Sequence, residues 1–112
     1  MRADEFVTEW IVGNEQVGSY RVSIDSHLIQ RQRRPGHEPV STETVMSAIR
    51  KLPQARGKFK QLDNGQQFWL HDNTTDISVG FLINDLEQKR FTAKNVWPGR
   101  SATARIPTFE VR

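Results

Sequence analysis

Cysteine is absent from the 112 residues. That excludes disulfide frameworks, thiolate zinc sites and a cysteine nucleophile. Long apolar runs are missing as well; none approaches the ~20 residues a membrane helix needs, so no membrane role is expected. Met1-Arg2-Ala3-Asp4-Glu5 lacks the basic-then-apolar profile of a signal peptide, and the expected location is the cytoplasm. No phosphate-binding glycine loop, HExxH, EF-hand loop or Gly-x-Ser-x-Gly elbow occurs. The histidines are His27, His37 and His71, and nothing in their spacing suits a metal. No cofactor is therefore expected, and any catalysis falls to His, Arg, Lys and hydroxyl groups.

What the chain does contain is enough for one modest core. Hydrophobic residues make up 36% and charged residues 26%. The length fits one domain over residues 1–112, with 98–112 read as a tail or an edge strand. The net charge of +3 is mild, but it is unevenly spread. Residues 1–24 carry net -2, residues 25–60 net +5, residues 61–99 net -2 and residues 100–112 net +2. Local concentration of one sign, more than the total, attracts polyanions.

The aromatic and β-branched run Phe6 to Val12 predicts a strand. Gly13 to Gly18 reads as a turn, and Tyr20-Arg21-Val22-Ser23-Ile24 alternates as a second strand, so an N-terminal hairpin is expected. Asp25 or Ser26 suits an N-cap, and His27 to Arg34 predicts a short helix stopped by Pro35-Gly36. On that helix His27, Arg31 and Arg34 share a face at i, i+4 and i+7. A second helix follows from Ser41 as N-cap, Glu43 in the first turn and a Val40–Val45 staple. Its stripe is Val45, Ala48, Ile49 and Leu52, ending before Pro53. Arg56, Lys58 and Lys60 mark a basic connector, with the start of a strand at Lys58 to Leu62. Asn64-Gly65 signals a turn. Strands are then predicted over Gln67–His71, Ile77–Ile83 and Arg90–Val96. Late strands joined by tight turns favour an antiparallel meander. The expected architecture is α+β: two N-terminal-side helices packed on an antiparallel sheet of about four strands, with an extra N-terminal hairpin.

The run His27-Leu28-Ile29-Gln30-Arg31-Gln32-Arg33-Arg34, lying between a strand and a second helix, resembles the helix signature of small RNase toxins. That superfamily groups RelE-type toxins, barnase, EndoU and the tRNase colicins. The resemblance covers Tyr20 to about Trp97 and rests mostly on element order. The aromatic strand Phe68-Trp69-Leu70, the alternating strand Ile77 to Ile83 and the strand Phe91 to Trp97 fit it; the strand Phe6–Val12 is additional to the pattern. The resemblance implies metal-independent RNA cleavage by attack of the 2′-OH on the adjacent phosphate, leaving a 2′,3′-cyclic phosphate. His27, whose type titrates near ~6.5, would transfer a proton, and His71 would be the second proton-transfer group. Arg31 and Arg34 would bind and stabilise phosphate charge. Thr92 would be the hydroxyl residue of the last strand, with Lys94 two residues on. Arg56, Lys58 and Lys60 would extend the RNA-binding block. RNA is the implied partner, along with an acidic antitoxin or immunity protein covering the cleft.

Each residue also has a plainer reading. His27 suits a helix start as a cap, and Arg31, Arg33 and Arg34 suit a solvated helix face. His71 next to Asp72 suits a turn, Thr92 is a good strand former, and Trp10, Trp69 and Trp97 suit a core or sheet face. Two further functions fit the same residues. One is a non-catalytic RNA- or DNA-binding module; the other is a phage or accessory protein that binds a host protein.

Overall fold

The computed structural model describes residues 14–24, 41–101, 103 and 105–112. Strand β1 (Asn14–Val17) and strand β2 (Tyr20–Ile24) form a hairpin closed by the Val17–Tyr20 pair. Its two-residue turn places Gly18 at φ +59, the positive-φ first position that matches the twist of paired strands. The stretch read from sequence as a turn is thus mostly strand, with the reversal at Gly18-Ser19. The expected partner strand Phe6–Val12 lies outside the described residues, as does the helix expected over His27–Arg34.

Helix α1 (Thr42–Ile49) begins at Ser41, whose Oγ accepts the Thr44 backbone N–H at 3.2 Å. Val45, Ala48 and Ile49 are fully buried on one face. Pro53 has no N–H to donate to the Ile49 carbonyl, so the α-helix stops short of Leu52. Leu52 is still fully buried, but it opens a 3-10 helix over Leu52–Gln61. This element corrects the expectation of a basic connector and a strand start. Leu52, Ala55 and Phe59 face inward from it, while Arg56, Lys58 and Lys60 are exposed.

Strands β3 (Gln67–Asp72), β4 (Ile77–Asp85) and β5 (Arg90–Pro98) form the antiparallel meander that their short turns dictate. The sheet as a whole is not the antiparallel sheet of about four strands expected beneath two N-terminal-side helices. It is a mixed six-stranded sheet in the order β1-β2-β5-β4-β3-β6. β2 lies parallel to β5, and β6 (Thr108–Val111) lies parallel to β3. The reason is connection length. A tight turn forces an antiparallel neighbour, whereas β2 and β6 reach their partners through long connections that leave direction open.

One face of the sheet carries Tyr20, Val22, Phe68, Leu70, Val79, Phe81, Ile83, Phe91, Ala93 and Phe109, all buried. α1 and the 3-10 helix cover it. Phe59 sits at its centre, with ring centroids 5.7 Å from Tyr20, 5.2 Å from Phe68 and 5.3 Å from Phe91. Asp72 also points to this side. It is 0% exposed and accepts hydrogen bonds from Lys51 Nζ at 2.8 Å, the Thr74 N–H at 2.9 Å and Thr75 Oγ1 at 2.8 Å. Burial works to raise the Asp72 pKa, but these partners outweigh it and hold the carboxyl below its ordinary value. No helix among the described residues is long and apolar enough to cross a membrane.

Candidate functional site

The opposite face of the sheet is polar, because alternation sends every second residue to it. β2 contributes Arg21 and Ser23; β5 contributes Arg90, Thr92 and Lys94; β4 contributes Ser78 and Asn84; β3 contributes Trp69 and His71. The β5–β6 connection must pass two strands to reach the far edge, and it crosses this face. Ser78 Oγ donates to the Gly99 carbonyl at 2.7 Å and accepts the Ser101 N–H at 3.0 Å. Trp69 Nε1 donates to Thr103 Oγ1 at 3.1 Å. Trp69 packs over Gly80, where a Cβ would lie 3.2 Å from its ring. That half of the face is therefore structural.

The other half, where β2 meets β5, holds a cleft of about 380 Å³ lined by Arg21, Ser23, Asn84, Arg90 and Thr92. Arg21 and Arg90 are register partners on adjacent parallel strands. Both are exposed, and neither has a carboxylate partner among the described residues. Asp85 stands opposite Arg90 in the β4–β5 register without forming an ion pair to it, and like charges directly opposite each other on a sheet are destabilising, so the two arginines concentrate positive charge that a bound anion would relieve. Thr92 Oγ1 donates to Asn84 Oδ1 at 2.6 Å. That bond uses the Asn84 carbonyl and leaves its NH₂ as a donor beside the guanidinium groups. The site is donor-rich and cationic, which suits phosphate oxygens.

His71 lies in a different environment. It is 5% exposed, and both ring nitrogens are engaged: Nδ1 with Glu110 Oε2 at 2.5 Å and Nε2 with Asp76 Oδ1 at 2.9 Å. Glu110 also accepts from Arg100 Nε at 2.5 Å and Asn73 Nδ2 at 3.0 Å. Burial works to lower the His71 pKa, but the two carboxylates outweigh it and hold the imidazole above its ordinary value. Glu110 is held below its own, despite some burial, by His71, Arg100 and Asn73. When protonated, the imidazole clamps the edge strand β6 and the β3–β4 turn onto β3. Among the described residues no group of His, Asp and Glu is arranged to hold a metal.

The residues singled out from sequence therefore separate. His27, Arg31 and Arg34 lie outside the described residues. Thr92 lies in the cationic cleft, and Lys94, two residues on, is the unpaired residue of the β-bulge and does not line the cleft. His71 is level with Ser78, whereas Thr92 is level with Leu82 and Gln67. Two strand spacings of about 4.8 Å and four residues of about 3.3 Å put the two some 16 Å apart, too far to share one phosphate. Arg56, Lys58 and Lys60 sit on the 3-10 helix, across the sheet from Thr92. Sequence reasoning missed Arg21, Arg90 and Asn84. The one signal was that Arg21 occupies an outward position in an alternating strand; its pairing with Arg90 depends on a long-range parallel register. Comparison of the chain with protein families, curated proteins and solved structures finds no match.

Proposed function

We propose that this chain binds RNA through its phosphates at the β2–β5 corner of the polar sheet face. The observation that carries this reading is the register-paired Arg21 and Arg90, unpartnered by carboxylate among the described residues and set beside Thr92 and Asn84. Two guanidinium forks offer paired N–H groups to phosphate oxygens, and the Asn84 amide adds a neutral donor. Lys94 extends the cationic track along β5. A cytoplasmic location, where RNA is plentiful, belongs to the same reading. An acidic protein inhibitor would meet the same surface by charge complementarity.

Cleavage of that RNA is the second reading, and one observation favours it. Thr92, the hydroxyl residue expected at a ribonuclease site, lines the cationic cleft. In this reading Thr92 and Arg90 hold the phosphate, while His27 and Arg31 supply proton transfer and charge. His71 takes no part, because both of its nitrogens are committed.

One assay tests both readings. End-labelled single-stranded RNA is titrated with the wild type and with Arg21→Ala/Arg90→Ala at two salt concentrations, then run on a denaturing gel. Binding that weakens steeply with salt in the wild type and is lost in the variant supports the phosphate reading. Equal binding by both proteins refutes it. Shortened products that disappear with His27→Ala add the cleavage step.

A further inference from the structure

We propose that the Arg21–Arg90 cleft receives the terminal phosphate of an RNA strand, in preference to a phosphodiester within it. This rests on the RNA-binding reading and names the part of the RNA recognised. Three observations carry it. The first is charge. An internal phosphodiester has one negative charge spread over two non-bridging oxygens. A terminal phosphate carries about -1.5 to -2 near neutral pH and presents three acceptor oxygens. The paired guanidinium groups match the second ligand in charge, and with the Asn84 NH₂ they match it in donors.

The second observation is shape. The cleft is a local pocket of about 380 Å³, at the small end of the roughly 300–1,000 Å³ of small-molecule sites. That space fits a phosphate with its sugar. The third is position. The cleft sits at the corner where β2 and β5 begin, and the β5–β6 connection is hydrogen-bonded across the face further along, at Ser78 and Trp69. A strand end can reach this corner from the open side of the cleft with the rest of its chain in solvent.

The Thr92–Asn84 hydrogen bond is the positioning element. It ties up the amide oxygen, which would repel an anion, and leaves the NH₂ to donate. Thr92→Val removes that restraint without removing a charge.

The test compares three labelled oligoribonucleotides of one sequence: 5′-phosphorylated, 3′-phosphorylated, and with hydroxyls at both ends. Each is titrated against the full chain at fixed salt. The expected result is that one phosphorylated strand binds about tenfold tighter than the hydroxyl strand, and the arm that does so identifies the end recognised. Arg21→Lys/Arg90→Lys keeps the charge but loses the fork geometry, and it is expected to erase most of that preference while folding normally by circular dichroism. Thr92→Val is expected to reduce it severalfold. Equal affinity for all three strands overturns the terminal-phosphate inference and leaves the RNA-binding reading standing. No binding of any strand overturns both.

Discussion

Replacing Lys51 by Met removes the ammonium that neutralises Asp72 while keeping most of the aliphatic stem. Asp72 is 0% exposed, and the Lys51 side chain is 19% exposed. Breaking a buried ion pair by deleting one partner costs about 3–5 kcal/mol, because the remaining charge is stranded. Asp72 keeps its bonds from the Thr74 N–H and Thr75 Oγ1, and some water reaches the lysine, so the low end, about 3 kcal/mol, is expected. For a domain of this size that corresponds to a Tm loss of about 12 °C. The effect has a pH signature. In the wild type the Asp72 pKa is depressed, so its contribution is present above its ordinary value of 3.8 and is lost as pH falls through the folded value. In Lys51→Met, burial acts without the ammonium and pushes the carboxyl up, so acid relieves the stranded charge. The stability gap between the two proteins therefore narrows below about pH 4. Urea denaturation at pH 7 and pH 3.5 measures both numbers. A cost below about 1 kcal/mol at pH 7, or a gap unchanged in acid, would refute the reasoning.

Further outcomes follow from other parts of the structure. The His71 pKa is raised, so its contribution is present below its ordinary 6.5 and is lost as pH rises through the folded value. His71→Gln is expected to cost about 1–2 kcal/mol near pH 6, discounted for the exposure of Asp76 and Glu110, and less near pH 9; a pH-independent cost contradicts the clamp. Phe59→Ala empties the centre of the aromatic cluster and is expected to cost about 3–5 kcal/mol in chemical denaturation, a large share of a stability of about 5–15 kcal/mol. A cost under about 1.5 kcal/mol would place Phe59 outside the core. Arg21→Gln relieves the like-charge pair with Arg90 and is expected to be neutral or stabilising by a few tenths of a kcal/mol while weakening RNA binding. Destabilisation by more than about 1 kcal/mol would show that Arg21 has a structural partner.

Short-range order was legible in the sequence where local rules decide. Ser41 with Val45, Ala48 and Ile49 gave α1, and the alternation of Ile77, Val79, Phe81 and Ile83 gave β4. Asn64-Gly65 gave a turn, and Gly65 adopts φ +88 there. What escaped was set at long range. The parallel docking of β2 on β5 and of β6 on β3 rests on pairings between segments far apart in the chain, which no local pattern encodes. Lys58-Phe59-Lys60-Gln61-Leu62 alternates like a strand, but Phe59 is drawn into the aromatic cluster and the segment coils as a 3-10 helix to deliver it. The site was legible only in part for the same reason. Thr92 was recognisable from its strand, whereas its neighbours Arg21 and Arg90 come together only through the parallel register. His71 looked available because its partners Asp76 and Glu110 are brought to it by a turn and by the edge strand.

The central claim is that phosphate binds at the β2–β5 corner and not on the helical face. The most direct test is NMR observation of the arginine Nε–Hε and asparagine NH₂ resonances during titration with 5′- or 3′-phosphorylated RNA. Saturable shifts at Arg21, Arg90 and Asn84, with Arg56 little changed, are the result expected. Shifts at Arg56 and the backbone of Lys58 and Lys60, with Arg21 and Arg90 unmoved, would contradict it.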